Sequence, residues 1–282
     1  WTKKLQSHWE AGEGGALNML QQFVATLSGE NLPESSAEVR LGYSEGRDYP
    51  AVAVTSRLSP YLRCGAVSPR TVWATISEAA ERGEIAESEA GAYRRQIIWR
   101  DFAWHRLYHV PTLATCNVQA KFDRFPWGWD EARGSAEFDA WKRGITGVPL
   151  VDAGMRELWE TGSMHNRVRM VVGSLLTKNL LIHWRLGEEW FWDTLVDADY
   201  ACNPFNWQWV AGCGDDAAPY FRIFNPLTQA QKFDKEGLYQ QTWVPEAQTS
   251  GGSYPSEPIV DIKQSRAEAL AVYESLGQDS RK

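Results

Sequence analysis

Apolar residues recur at a helical spacing along most of this chain, and nowhere do they alternate over a useful length as a half-buried strand would require. Leu17, Leu20, Phe23, Val24 and Leu27 mark one face of a helix predicted over 15–28. Ser68 followed by Pro69 is a second start signal, a hydroxyl cap and a first-turn proline with no N–H to leave unpaired. Residues 87–109 read as a long helix with Ile97, Ile98, Phe102 and Leu107 inward, Arg94, Arg95, Arg100 and Arg106 carrying its charge, and Pro111 as its stop. Further helices are predicted over 135–142, 149–160, 164–185, 188–196 and 263–276, the longest built on Val168, Val171, Val172, Leu175 and Leu176. Between them, 29–55 reads as a long polar loop, FDRFPWGWDEARG as an aromatic loop, and 248–258 as a Gly/Ser/Pro-rich one. With no internal repeat, the pattern predicts a single all-α, multi-helical domain over 1–282.

Composition narrows this little. No run approaches the roughly 18 apolar residues of a membrane span and no signal-peptide pattern opens the chain, so a soluble, cytoplasmic, monomeric protein is expected, with no membrane partner. The opening phrase WTKKLQSHWEAGEGGA, without an initial methionine, reads as the middle of a longer polypeptide. The four cysteines form no CxxC pair and are expected to be small buried hydrophobes. His105 and His109 stand four apart, as a metal pair would, but lack an evident acidic third ligand, so no metal is expected. A net charge of -7 disfavours nucleic acid only globally, since a basic groove can sit on an acidic exterior. Fifteen tryptophans are first of all core and interface residues.

The stretch from Glu160 to Pro226 is where chemistry concentrates. It brings Arg167, Arg169, Asp197, Asp199 and Asn203 together with Trp184, Trp207 and Trp209. Asp197 and Asp199 could accept from ring N–H groups or a ribose, with Arg169 neutralising one of them and Asn203 adding an amide. The residues alone leave open a plainer reading, an ion pair fixing loop against helix, with the tryptophans as packing. Upstream, Thr55, Ser56 and Arg57 with the helix start at Ser68 would suit a phosphate, although capping explains the hydroxyls more cheaply.

The phrases TSRLSPYL, GVPLVDAGMREL, MHNRVRM, NWQWVAG and DAAPYFRIFNP, taken in order from about Tyr43 to PIVDIKQSRAEALAVY, resemble the C-terminal flavin-binding domain of the photolyase and cryptochrome family, and most of all the cyclobutane pyrimidine dimer photolyases. The resemblance implies FAD as cofactor, UV-damaged DNA as partner and light-driven dimer repair as activity, with any antenna chromophore confined to an N-terminal α/β domain that this chain lacks. By match to the family's motifs, Tyr43, Thr55, Ser56, Arg57, Leu58 and Ser59 would hold the FAD phosphates and ribityl chain. Arg100, Arg169, Asp197 and Asp199 would contact the flavin and adenine, and Asn203 would face flavin N5. An amide there does not readily give up a proton, which favours an anionic reduced flavin.

Trp207 and Trp184 match the proximal and middle members of an electron relay, and Trp129, with Trp127 as alternative, the distal one. Gln96, Trp99, Asn166, Met170 and Trp209 match lesion contacts, and Arg167, Arg222 and Gln229 contacts on the DNA-backbone side. A dimer must leave the base stack to be reached, and its distorted duplex lowers the cost. Two positions depart from the family's pattern: Gln96 stands where many cyclobutane photolyases carry Glu, and Ser163 where a Trp is usual. They keep a second reading open, a cryptochrome photoreceptor that signals through flavin redox state without repair. Repair of (6-4) photoproducts is disfavoured, since that class places a second histidine at the position of Asn166.

Overall fold

The computed structural model describes residues 2–30, 41–216, 221–248 and 254–278. Parts of two predicted loops, 31–40 and 249–253, and residues 217–220 of the DAAPYFRIFNP motif lie outside them. The described α-helices are, in order, α1 (Thr2–His8), α2 (Gly12–Leu27), α3 (Tyr43–Gly46), α4 (Ser59–Cys64), α5 (Pro69–Glu81), α6 (Glu87–His109), α7 (Asp130–Arg133) and α8 (Ala136–Arg143). There follow α9 (Pro149–Thr161), α10 (Asn166–Ser174), α11 (Trp184–Thr194), α12 (Cys202–Ala211), α13 (Pro226–Phe233), α14 (Leu238–Trp243) and α15 (Ile262–Gln278). No strand occurs among the described residues, only one isolated parallel bridge between Gly128 and Ile182. The all-α expectation holds.

The starts obey local chemistry. Ser68 Oγ accepts the Thr71 N–H at 3.0 Å at the head of α5, and Ser135 Oγ accepts that of Phe138 at 3.1 Å before α8. Each satisfies one of the donors a helix leaves without an internal partner.

Where the prediction fails, tertiary contacts override the local pattern. Residues 164–185 are not one helix. After α10 the backbone widens into a π turn at Leu175–Asn179, Leu181 takes a φ of 50°, and His183 restarts the chain as the cap of α11, its Nδ1 accepting the Arg185 N–H at 3.2 Å. The cause is distant in sequence: Gly128 N–H donates to the Leu181 carbonyl at 2.8 Å, and His183 N–H donates to the Gly128 carbonyl at 3.0 Å. On α6 the buried positions are Ala90, Ala92, Tyr93, Ile97 and Ala103, whereas Ile98 and Phe102, expected inward, are 55% and 38% exposed. Leu17, also expected inward, is 40% exposed. Helix α12, absent from the prediction, begins where Asp199 Oδ1 accepts the N–H groups of Ala201 and Cys202, both at 2.8 Å.

Two large apolar clusters result. The first joins α2, α3, α4, α5 and the first half of α6 through Leu20, Phe23, Tyr43, Leu58, Tyr61, Val72, Ile76 and Tyr93. The second spans Phe122 to Leu276 and holds Trp127, Trp141, Trp184 and Trp207. Trp141 and Trp184 are fully buried. At about 25 cal/mol per Å² and roughly 200 Å² each, such indoles are worth on the order of 5 kcal/mol apiece in transfer free energy. A small third cluster, Ala103, Leu113, Ala201 and Phe205, packs the middle of α6 onto the start of α12.

Candidate functional site

The polar residues singled out in the sequence gather along the seam between the two large clusters. From the second side, Arg169 on α10 grips Asp197 with two bonds, Nη1 to Oδ1 at 3.1 Å and Nη2 to Oδ2 at 3.0 Å. From the first side, Ser59 at the head of α4 donates to Asp197 Oδ2 at 2.7 Å. Asp199, 6% exposed, caps α12 with one oxygen, while the other accepts Trp104 Nε1 at 3.2 Å and lies 3.8 Å from the Arg100 guanidinium. Arg63 Nε donates to the Ala198 carbonyl at 2.7 Å between them. The plain ion pair is therefore present at Asp197. It ties two halves of the molecule together, which is more than a local fix of loop to helix.

Asn203 lies in the first turn of α12, buried, its Nδ2 donating to the carbonyl and to Oε1 of Glu188 at 3.1 and 2.9 Å. Burial pushes the Glu188 carboxyl up to about 7. Glu188 was missed in the sequence: Glu188 and Glu189 are adjacent, and nothing in the one-dimensional pattern says which of the two turns inward. The hydrogen bond leaves the Asn203 oxygen as the end of the amide available to another partner.

The remaining cofactor candidates divide. Ser56 Oγ accepts Tyr93 OH at 3.1 Å and the Leu58 N–H at 3.3 Å, and Tyr43 OH accepts from Arg47 at 3.5 Å. Thr55 is exposed beside them. Leu58 is fully buried, so only its backbone faces the seam chemistry. Arg57, at a φ of 52°, turns toward the N-terminal helix, its guanidinium 4.5 Å from the Trp9 ring and donating to the His8 carbonyl at 3.4 Å.

Of the lesion candidates, Trp99 is 49% exposed and meets Phe102, which meets Phe205 of α12 in turn. Gln96 accepts from Arg47 at 3.3 Å, a partner the sequence gave no reason to choose. Asn166 is exposed, and Met170 and Trp209 pack half-buried against the second cluster. Arg222 is exposed with its guanidinium 5.7 Å from the Trp209 ring. Arg167 is less free than expected: it pairs with Asp48 at 2.7 Å and stands 4.1 Å over the Phe233 ring.

Among the described residues His165 Nε2, Arg167 Nε and Gln229 Oε1 are buried without a hydrogen-bond partner. Burial also pulls the His165 imidazole down to about 4, so it stays neutral. Such atoms cost free energy unless something meets them.

The relay candidates line the second cluster. Trp207 meets Phe191 at 4.9 Å and Trp141 at 6.3 Å between centroids. Trp184 donates Nε1 to Asn117 Oδ1 at 2.8 Å and neighbours His183 at 5.6 Å. That imidazole in turn touches both distal candidates, Trp127 at 5.2 Å and Trp129 at 5.0 Å. Trp127 is buried and bonded to the Thr177 carbonyl; Trp129 is half-buried between the guanidinium groups of Arg185 and Arg133. His105 and His109 pack ring against ring at 4.5 Å, and no group of His, Cys, Asp and Glu suited to a metal occurs among the described residues.

Comparison with known proteins decides the family. Residues 93–253 match the profile described as the FAD binding domain of DNA photolyase. A deoxyribodipyrimidine photo-lyase of Agrobacterium fabrum is 44% identical over 98% of this chain and 58% of its own length. The chain belongs to the DNA photolyase family. Among solved photolyase-family structures, a class III photolyase from Agrobacterium tumefaciens superposes with a TM-score of 0.87 at 44% identity, covering 99% of this chain and 58% of that one. A Synechocystis cryptochrome gives 0.80 at 32% identity, covering 94% and 56%. The chain thus spans less than two thirds of the length of these photolyase-family relatives.

The seam's donor set fits the flavin dinucleotide of the family's FAD-binding domain. Hydroxyls and guanidinium groups suit phosphates and a ribityl chain, carboxylates suit ring N–H groups, and several of the contacts among them are long, 3.3 to 3.8 Å. No described helix is long and apolar enough to cross a membrane.

Proposed function

We propose that this chain is the FAD- and lesion-binding part of an enzyme that uses light to split cyclobutane pyrimidine dimers in DNA. The observation that carries it is the position of α12. Asp197, Asp199 and Asn203 bring polar groups to its start, Trp207 one turn later enters the buried aromatic cluster, and Trp209 lies on the half-exposed side toward Arg222. One short helix would then place cofactor, electron supply and substrate side by side.

In this reading Tyr43, Thr55, Ser56, Ser59 and the Leu58 backbone hold the phosphates and ribityl chain, with Arg100, Arg169, Asp197 and Asp199 around the rings. Arg57 would contribute only by leaving Trp9. Bound FAD, once reduced and excited by light, would lend an electron that opens the cyclobutane ring and would take it back from the separated pyrimidines, so that repair is redox-neutral overall. Asn203, anchored by Glu188, presents an amide that orients without donating a proton readily. Trp207 and Trp184 would pass electrons only to flavin that has become oxidised, outside the repair cycle itself, and Trp129 is the favoured outer end of that relay because it is the half-buried one of the pair. Gln96, Trp99, Asn166 and Met170 receive the extruded dimer, stacking on its faces and hydrogen-bonding its edges. Arg222, Gln229 and, once released from Asp48, Arg167 meet the backbone.

The test is to reduce the FAD-loaded protein, add dimer-containing single- and double-stranded DNA, illuminate in the near-UV or blue, and count restored thymines. Light-dependent restoration is expected. Normal flavin photoreduction with no restoration would instead favour the cryptochrome reading that Gln96 and Ser163 keep in play.

A further inference from the structure

The segment Phe221–Phe224 carries Arg222, and two side chains from the core hold its backbone. Ser174 Oγ accepts the Phe224 N–H at 3.0 Å. From the π turn that follows α10, the Lys178 ammonium donates to the Arg222 carbonyl. Lys178 is 1% exposed, and its Nζ stands 4.6 Å from the centre of the Phe221 ring. No carboxylate pairs with it among the described residues. A buried cation without a counter-ion is costly, and burial accordingly pulls this ammonium down to about 7. A methionine would fill the same space without that cost. What lysine adds is the bond to Arg222. Lys178, Trp209, Arg222 and Phe224 border one cavity of about 10 Å³, room for about one water, and Asp216 borders it as well.

We propose that Lys178 is a positioning residue for nucleic-acid binding: by holding the Arg222 carbonyl from inside the core, it seats the guanidinium beside the Trp209 indole as one cationic and aromatic platform. This rests on the DNA-binding reading above. The lysine itself never touches the ligand, so its effect must pass through Arg222.

The experiment is a double-mutant cycle on the FAD-loaded protein, with Lys178→Met, Arg222→Ala and the pair, reading dark binding of a fluorescently labelled dimer-containing duplex by anisotropy. Lys178→Met alone is expected to weaken binding about tenfold, and by less than about twofold once Arg222 is already Ala. Its repair rate at saturating DNA should stay near that of the parent, which places the loss in binding. Flavin content and photoreduction rate report the fold. Unchanged binding, or an equal loss in both backgrounds, would overturn the proposal. Should Lys178→Met not retain flavin, Ser174→Ala releases the second tether and is taken through the same cycle, where additive losses are again the contrary result. A parent protein that photoreduces its flavin but binds no DNA would sink the functional reading itself, whereas additive losses in a protein that does bind sink only the role of Lys178.

Discussion

The two large apolar clusters use aromatic residues differently. The first is built on Phe23, Tyr43, Tyr61 and Tyr93, with Trp9 only packed against it; the second buries Trp127, Trp141, Trp184 and Trp207. A tyrosine ends in a hydroxyl that must be satisfied when buried, and here the hydroxyls reach polar loops: Tyr93 to Ser56, Tyr61 to the Glu10 carbonyl, Tyr43 to Arg47. Burial pushes the Tyr43 phenol up to about 12 and raises that of Tyr93 as well, so both stay protonated at working pH. The first cluster is thus a mould that orients a polar cradle. The second packs its easily oxidised indoles against other rings at about 5 Å, as in Phe191–Trp207 at 4.9 Å and His183–Trp129 at 5.0 Å. The candidate site lies where the two clusters meet, so perturbing each side separately should dissect it.

The largest effect is expected where both sides depend on one carboxylate. Asp199 accepts from Ala201, Cys202 and Trp104 and lies beside Arg100. Asp199→Ala leaves those donors, two of them at the start of α12, unpaired at roughly 1–3 kcal/mol each, so a loss of at least about 3 kcal/mol is expected in urea unfolding, together with loss of flavin. Asp199→Asn, which keeps an oxygen for the two backbone groups, should recover about half of the stability. A loss below about 1 kcal/mol for the alanine variant would mean that the seam is held elsewhere.

Next comes a change confined to the second side. A Cβ on Gly187 would fall 2.2 Å from one atom of the Trp207 ring and 2.6 Å from Leu176. Gly187→Ala must push the indole or the helix aside, at about 2–3 kcal/mol for overpacking, and slow photoreduction of oxidised flavin. Because the disturbance begins in the second cluster, hydrogen-exchange protection in α2 and α5 should survive. Equal loss of protection in α2 and α5 would show that the two clusters unfold as one unit.

The sequence revealed these two regions unequally. Helices α5, α8, α9 and α15 were legible because their caps, prolines and apolar spacing are local signals. The break between α10 and α11 was not, since its cause is a pair of backbone bonds to Gly128, some fifty residues earlier. The inward face of α6 was misjudged because the face exposing Ile98, Trp99 and Phe102 is itself apolar, and periodicity cannot tell a core stripe from an aromatic surface. At the candidate site, Arg169 stands in the ordered phrase MHNRVRM and Trp207 in NWQWVAG, with Asn203 three residues before the latter. Two acidic partners, Glu188 behind Asn203 and Asp48 on Arg167, carry no signature beyond an acidic letter.

The smallest predicted effect sharpens the account of Asn203. Burial raises the Glu188 carboxyl to about 7 in the folded chain, above its ordinary 4.5, so folding favours the protonated form. Its contribution to stability is therefore fully present below about pH 4.5 and is lost as pH rises through about 7. Glu188→Gln copies the neutral carboxyl and keeps an oxygen for the Asn203 amide. It should match the parent near pH 5 and exceed it by about 1–2 kcal/mol near pH 8.5, read from urea midpoints across that range. The flavin absorption spectrum should be unchanged, because the anchor of Asn203 survives, whereas Glu188→Ala frees the amide and should alter the spectrum as well as the stability. Parallel pH profiles for parent and Glu188→Gln would show that Glu188 is ionised throughout, and that Asn203 is held by a charge that the second cluster tolerates.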